Sequence, residues 1–257
     1  MARPRSIWNG TITFGLMRVP IKVHSATEDR SVHFHEVHAK DGAQIEHRRI
    51  CSKEGKVVPY NQVAKGYEIK KGEYVLLDQE EIDAAAGRQS REIELEEFVA
   101  VGDIDPVYYN RGYYLGAGDD GQDAYRLLHD AMERAERVGL GRWVFHNREY
   151  LVAVRPLDAV LALHTMRFAD ELVDADSLDL PSPSRKPSDR EVKMAGALVD
   201  SLSASFDPGA FEDSYRERVL ALIQAKARGE EPELPDAPEP SGDTDLMAAL
   251  EASLQGS

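Results

Sequence analysis

The sequence predicts an α+β fold that is mainly β: a barrel-like sheet over residues 1–180, followed by a helical C-terminal region. Three observations predict it. Short runs of alternating apolar and polar residues recur from residue 7 to residue 168, separated by turn residues. Only one long amphipathic helix interrupts them, which leaves few crossovers and favours an antiparallel sheet. A Pro/Ser-rich linker, LPSPSRKPS at 180–188, then separates the strands from two helical patterns.

The elements follow in order. Ile12, Phe14 and Leu16 alternate with Thr11, Thr13 and Gly15, so 7–23 reads as a half-buried strand. Pro20 limits its pairing along one edge. Val32 and Phe34 begin another alternation over 31–38, and Asp41-Gly42 is a turn signal. Further strands are expected over 43–51 and 56–60, on either side of Ser52-Lys53-Glu54-Gly55, and over 73–77 and 91–101. Asp78 as N-cap, Glu81 three residues on and Gly87 as stop frame a short helix. Residues 105–117 mix aromatic and turn residues.

A longer helix is predicted over 122–138. Ala124, Leu127, Leu128, Ala131 and Ala135 share one face, Asp119 or Asp120 caps the start, and Gly139 stops it. Strands over 142–146, 150–156 and 160–168 complete the sheet. Beyond the linker, Ser188 and Glu191 make a capping box for a helix through Leu202, and a second helix spans 211–227 before Gly229. These two form a region over 188–229. Residues 230–243 are acidic and Pro-rich, with nothing to bury. Leu246, Met247, Leu250 and Leu254 then make an apolar stripe at helical spacing.

Composition narrows the function. With 42% hydrophobic residues the chain can bury a real core. No apolar run reaches the ~18 residues of a membrane span, and the start of the chain has no apolar signal core. A single cysteine, Cys51, excludes an intrachain disulfide framework. A cytoplasmic location is expected. The net charge is −15, but it is unevenly spread. Residues 1–71 hold 13 Lys/Arg against 7 Asp/Glu, whereas residues 72–130 hold 4 against 15. A basic segment joined to an acidic remainder can hold phosphate on one surface and repel it elsewhere.

Templates for catalysis fail. There is no phosphate-binding P-loop, nucleophile elbow or Rossmann glycine set. His24, His33, His35, His38 and His47 cluster early. A structural metal site needs about four well-placed ligands, so strand or surface histidines account for them better than a metal does. Asp103 with Asp105 and Asp174 with Asp176 are D-x-D pairs, common in loops. Cys51 has no identifiable base nearby. No catalytic residue, metal or cofactor is assigned.

What remains is QIEHRRICSKEGKVVPYNQVAKGYEIKK, residues 44–71. Alternating strands around a glycine turn can form a long two-stranded ribbon. At ~3.3 Å per residue, about 12 residues reach roughly 40 Å, enough to pass around a duplex. Lysines and arginines along such an arm would meet phosphates, which every DNA sequence shares. An ordinary hairpin with a charged face accounts for the same composition.

The order of motifs resembles the bacterial Ku family. IWNGTITFGL (7–16) and VPIKV (19–23) are similar to that family's opening stretch. FHEVHAKDG, RRIC, VPY, KGYE, YVLL, DPVYY, RWVF and REYLVAVRP follow in the family's order, so the resemblance covers residues 5–172. It implies a Ku-core β-barrel with a bridging arm, and a non-enzymatic homodimeric ring that threads onto ends of double-stranded DNA. It also implies recruitment of the ATP-dependent DNA ligase D in non-homologous end joining. On that topology the segment 44–71 falls on the bridge.

Arg48, Arg49, Lys53 and Lys56 are then the first candidates for phosphate contact, with Arg30, Lys40 and Lys65 second. Arg142, Arg148 and Arg167 match family positions, as DNA contacts or as ion-pair partners. Tyr108, Tyr109, Tyr113 and Tyr114 suit barrel core or dimer contacts, because a duplex hides its bases. The stripe Leu246, Met247, Leu250 and Leu254 resembles the segment that engages the ligase, by a helix-in-groove contact. Two departures stand out. The second cysteine that some members carry shortly after Cys51 is absent, and the tail over 230–257 is acidic where some members have lysines.

Overall fold

The computed structural model describes residues 5–85, 91–181 and 185–230. They fall into two compact units. One comprises Met1–Asp29 with Glu36–Ala175, the other Arg30–His35 with Asp176–Ser257. Among the described residues no helix is long and apolar enough to cross a membrane.

The first unit is built on a closed seven-stranded barrel in the order β1-β2-β6-β9-β8-β7-β5. Its strands are β1 (Trp8–Phe14), β2 (Met17–Ser25), β5 (Glu92–Ala100), β6 (Tyr109–Ala117), β7 (Arg137–Phe145), β8 (Arg148–Leu157) and β9 (Val160–Met166). Neighbours pair antiparallel except β1 and β5, which close the barrel in parallel with Ile12 opposite Ile93. Closure removes the free sheet edges that would otherwise invite pairing with other chains.

Alternation fills the interior. Val19, Ile21 and Val23 of β2, Val152 and Val154 of β8, and Leu161 and Leu163 of β9 are all buried. Trp143 is fully buried among them. It meets Trp8 and Tyr113 edge-on at 5.7 and 5.4 Å and stacks on Phe145 at 4.5 Å. Such aromatic contacts contribute roughly 0.5–1.5 kcal/mol each beyond burial.

Several sequence expectations need correction. The run 7–23 is two strands, not one: Gly15 turns the chain at φ 54, and Leu16, expected on the buried face, is fully exposed at the hairpin tip. Residues 105–117 hold a central barrel strand, β6. The long helix, α2 (Gln122–Ala135), ends three residues early. Glu136 adopts a left-handed conformation (φ 53), and Val138 and Gly139 belong to β7. Tyr125, Leu128, His129 and Met132 form its buried face, while Leu127 is exposed. Its N-cap is Gly121, not Asp119 or Asp120. The chain passes so close to Pro20 there that a Cβ on Gly118 or Gly121 would lie within about 3 Å of it, and Asp119 instead accepts from Lys22 Nζ at 2.7 Å.

The short helix, α1 (Gln79–Ala85), starts as predicted with a reciprocal cap. The Glu81 amide donates to Asp78 Oδ1 at 2.8 Å and the Asp78 amide to Glu81 Oε2 at 2.9 Å. Gly87 lies outside the described residues. In the second unit, α3 (Asp189–Ser201) lies where its capping box places it, and α4 (Ser214–Ala227) ends before Gly229 as expected but starts three residues later than 211, capped by Asp213. Ser188 and Glu191 form the expected box, and Arg185 clamps the Glu191 carboxylate. These bonds hold Glu191 well below the usual carboxylate range, the Arg185 guanidinium being the largest cause and Ser188 the next.

Candidate nucleic-acid interface

The basic stretch lies in an arm, residues 36–77, inserted between β2 and β5. Four peptide groups shape its first part. His38 N donates to Ala43 O (2.7 Å) and Gly42 N to His38 O (2.8 Å). Cys51 N donates to Lys56 O (2.9 Å) and Gly55 N to Cys51 O (2.8 Å). Two small loops result, each closed by a left-handed glycine, Gly42 and Gly55. Only isolated bridges flank them, Val37 with Gln44 and Ile50 with Val57. The strands expected over 31–38, 43–51 and 56–60 are therefore not formed. The third hairpin is regular: β3 (Lys65–Lys70) pairs antiparallel with β4 (Glu73–Leu77). Two short hairpins, at 50–57 and 65–77, thus stand where a single long ribbon was expected over 44–71, and another precedes them at 37–44. The periodicity misled because Ile45, Ile50 and Val57 mimic a buried face yet are exposed.

The candidate residues are exposed along this arm. Lys40 and Lys53 lie in the two loops, and Lys56 closes the second. Arg48 Nη2 donates to Glu46 at 3.2 Å. Arg49 places its guanidinium 5.1 Å from the centre of the Tyr60 ring, a cation–π contact that fixes the charge without neutralising it. Lys65 Nζ donates to Gln79 Oε1 at 3.0 Å. Arg49 and Lys65 come together on one hollow of about 760 Å³, which Tyr60, Asp78 and Glu81 also line. Arg30 belongs to the second unit. The stripe Leu246, Met247, Leu250 and Leu254 lies outside the described residues.

The barrel arginines have structural roles. Arg142 bonds to Glu149 (2.6 Å) and Glu96 (2.9 Å), which together raise its pKa, Glu149 more than Glu96. Arg167 donates to the carbonyls of Val107 and Tyr109 at 2.9 and 2.7 Å. Arg148 reaches Glu171 at 3.4 Å and lies over Tyr150. Tyr113 is buried in the core, whereas Tyr114 is partly exposed.

The D-x-D residues Asp103 and Asp105 cap backbone amides of Ala100 and Val107. Among the described residues, metal-ligand spacing occurs at His129, Asp130 and Glu133 on α2, not at the early histidines. His129 already engages Asp158 O at 2.9 Å and Asp130 Oδ1 at 3.1 Å. The His129 bond, then Arg126, hold the Asp130 carboxyl below its ordinary range.

Two buried imidazole nitrogens, His24 Nδ1 and His164 Nδ1, have no hydrogen-bond partner among the described residues. Burial, then the charge of Arg155, push the His164 pKa down. Lys70, which ends β3, and Lys71, in the turn after it, form the third hairpin tip; both belong to the basic stretch 44–71, though neither is among the residues singled out from it. A signal was present: Lys-x-Gly occurs at all three tips.

Comparison with known proteins decides the family. The Ku70/Ku80 beta-barrel domain matches residues 13–194. The chain belongs to the Ku family. It is 45% identical over 253 residues to the non-homologous end joining protein Ku of Anaeromyxobacter sp. (strain K), covering 97% of this chain and 85% of that one. To Ku 1 of Saccharopolyspora erythraea it is 41% identical, covering 98% and 78%. To Ku of Mycobacterium tuberculosis (strain H37Rv) it is 37% identical, covering 98% and 95%. The closed barrel is the Ku core, and the family is a non-enzymatic, DNA-binding one that acts in non-homologous end joining.

Proposed function

We propose that this protein is a homodimeric ring that threads onto open ends of double-stranded DNA without reading base sequence, and that it recruits ligase D to the break. One observation carries the reading: the arm at 36–77 exposes both cations and large apolar groups. Lys40, Arg49, Lys53, Lys56 and Lys65 offer charge to phosphates, which are common to all sequences. Tyr67, Ile69, Tyr74 and Leu76 are more than half exposed on β3 and β4. A two-stranded hairpin is marginal alone in water, and an apolar patch of this kind marks a protein contact. A second copy, supplying its own arm, covers it and closes the ring.

The chain's acidic balance fits the same picture. With the cations on the arm and a net charge of −15 overall, the outer surface repels DNA and threading from an end becomes the favoured route. Leu246, Met247, Leu250 and Leu254 are spaced in the sequence as the apolar face of a helix would be, the pattern that inserts into a partner's groove, and the ligase is the partner assigned to it.

The experiment is a competition. A labelled linear duplex is bound, and unlabelled linear or covalently closed circular DNA of the same sequence is added. Linear DNA competes and circles do not, if entry is from the end. Equal competition by circles would replace the ring with an ordinary basic surface.

A further inference from the structure

We infer that the arm holds the DNA backbone through three turns that each carry a lysine two residues before a left-handed glycine, and that the third, Lys70–Lys71, is a phosphate contact in its own right. The inference rests on the DNA-binding reading of the arm given above. Its observation is a repeat. Ala39-Lys40-Asp41-Gly42, Ser52-Lys53-Glu54-Gly55 and Ile69-Lys70-Lys71-Gly72 occupy the three hairpin tips. Each ends in a left-handed glycine, at φ 73, 66 and 82.

The first two loops are closed by the same pair of backbone bonds, described above. In the third, the fourth-position amide of Gly72 donates at 2.8 Å to the Glu68 side chain, where the first two loops use a main-chain carbonyl. Lys70 stands opposite Glu73 across this turn.

Turn chemistry explains the glycines and leaves the lysines unexplained. A reversal with φ > 0 selects Gly at the fourth position, while Asp, Asn or Ser suit the positions before it. Lysine at the second position of all three loops serves no bond within them. The barrel offers a contrast: its tight hairpins turn at Gly15-Leu16, His146-Asn147 and Asp158-Ala159, and none carries a lysine. Lysine tips are confined to the arm. Acidic neighbours are drawn inward in two of the loops. Asp41 accepts from the Ala43 amide (3.0 Å) and pairs with His38 (2.9 Å), and Glu68 is turned onto Gly72. Those carboxylates satisfy the loop, and the lysines stay exposed at its apex. The third tip, with two lysines, is placed to meet two phosphates.

Salt dependence tests this on the full chain. Binding to a short linear duplex is followed by fluorescence anisotropy over a series of salt concentrations. Each phosphate neutralised contributes roughly 0.9 to the slope of log K against log salt. Each substitution is present twice in the dimeric ring, so Lys70→Gln with Lys71→Gln should lower that slope by about 3.6, and Lys40→Gln or Lys53→Gln by about 1.8 each. Lys193→Gln with Lys226→Gln, on α3 and α4, removes the same charge and should leave the slope unchanged. An unchanged thermal midpoint shows that the exposed tips were altered without harm to the fold. If the parent binds and the Lys70/Lys71 variant keeps its slope, or if the α3/α4 control loses as much, the inference is overturned and the arm reading survives. If the parent does not bind DNA at all, both fall.

Discussion

The Tyr125 hydroxyl accepts the Leu161 amide at 2.7 Å and donates to the Leu115 carbonyl at 2.6 Å. Leu115 and Leu161 are register partners at the end of the β6–β9 ladder, so one phenol on α2 pins two barrel strands. Tyr125→Phe leaves a buried amide and a buried carbonyl without that partner. A loss of about 1–3 kcal/mol is expected, read by urea denaturation.

The same phenol sets an alkaline limit. Burial raises its pKa above the ordinary 10.0. The unfolded chain then releases the proton at lower pH than the folded one, so stability falls as pH rises past that value. The Tyr125→Phe protein should show a shallower decline there than the parent, in thermal midpoints taken across the alkaline range.

His164 acts at the other end of the scale. Its folded pKa lies below the ordinary 6.5, so below that pH the unfolded state binds more protons and stability falls on acidification. His164→Gln should flatten this acid slope. A parent and variant with identical profiles would mean that the imidazole gains its proton without cost.

Gly141 has no room for a side chain. A Cβ there would lie 2.0 Å from the Glu94 carbonyl oxygen and 2.8 Å from its carbon, both backbone atoms. This is where the β5–β7 register shifts between Leu95 and Glu97, as a β-bulge permits. Gly141→Ala should part the two strands and reduce soluble yield or thermal midpoint sharply. Arg142→Gln, one residue on, breaks two half-exposed ion pairs and should cost no more than about 1 kcal/mol. Its DNA affinity should match the parent's, since its charge is already engaged by Glu96 and Glu149.

Strands with strict alternation were legible in the sequence. Val152 and Val154, or Leu161 and Leu163, point inward at every second position, as period 2 demands. Capping chemistry placed α1 and α3 for the same reason, that Asp78 and Ser188 each bond an amide three residues on, whereas Asp213, which bonds the Arg216 amide and starts α4 at Ser214, was not read as a cap. β6 was hidden by composition. Its Gly112, Tyr114 and Gly116 look like loop residues, yet a Cβ on either glycine would come to ordinary contact distance, 3.5 Å, from the imidazoles of His164 and His24. The arm was misread for the opposite reason. Its apolar residues alternate as if buried, but nothing within the described chain covers them, and a pattern cannot tell a core from a surface awaiting a partner. The candidate cations were chosen by charge and by the resemblance, and the folded turns give Lys70 the same place before a left-handed glycine as Lys40 and Lys53.

Trapping tests the ring most directly. Protein is loaded on a linear duplex, the DNA ends are joined to give a closed circle, and salt is raised until simple phosphate contacts dissociate. A ring stays on the circle and leaves only when the DNA is cut again. Release from the circle at the same salt as from the linear duplex would contradict the threaded ring.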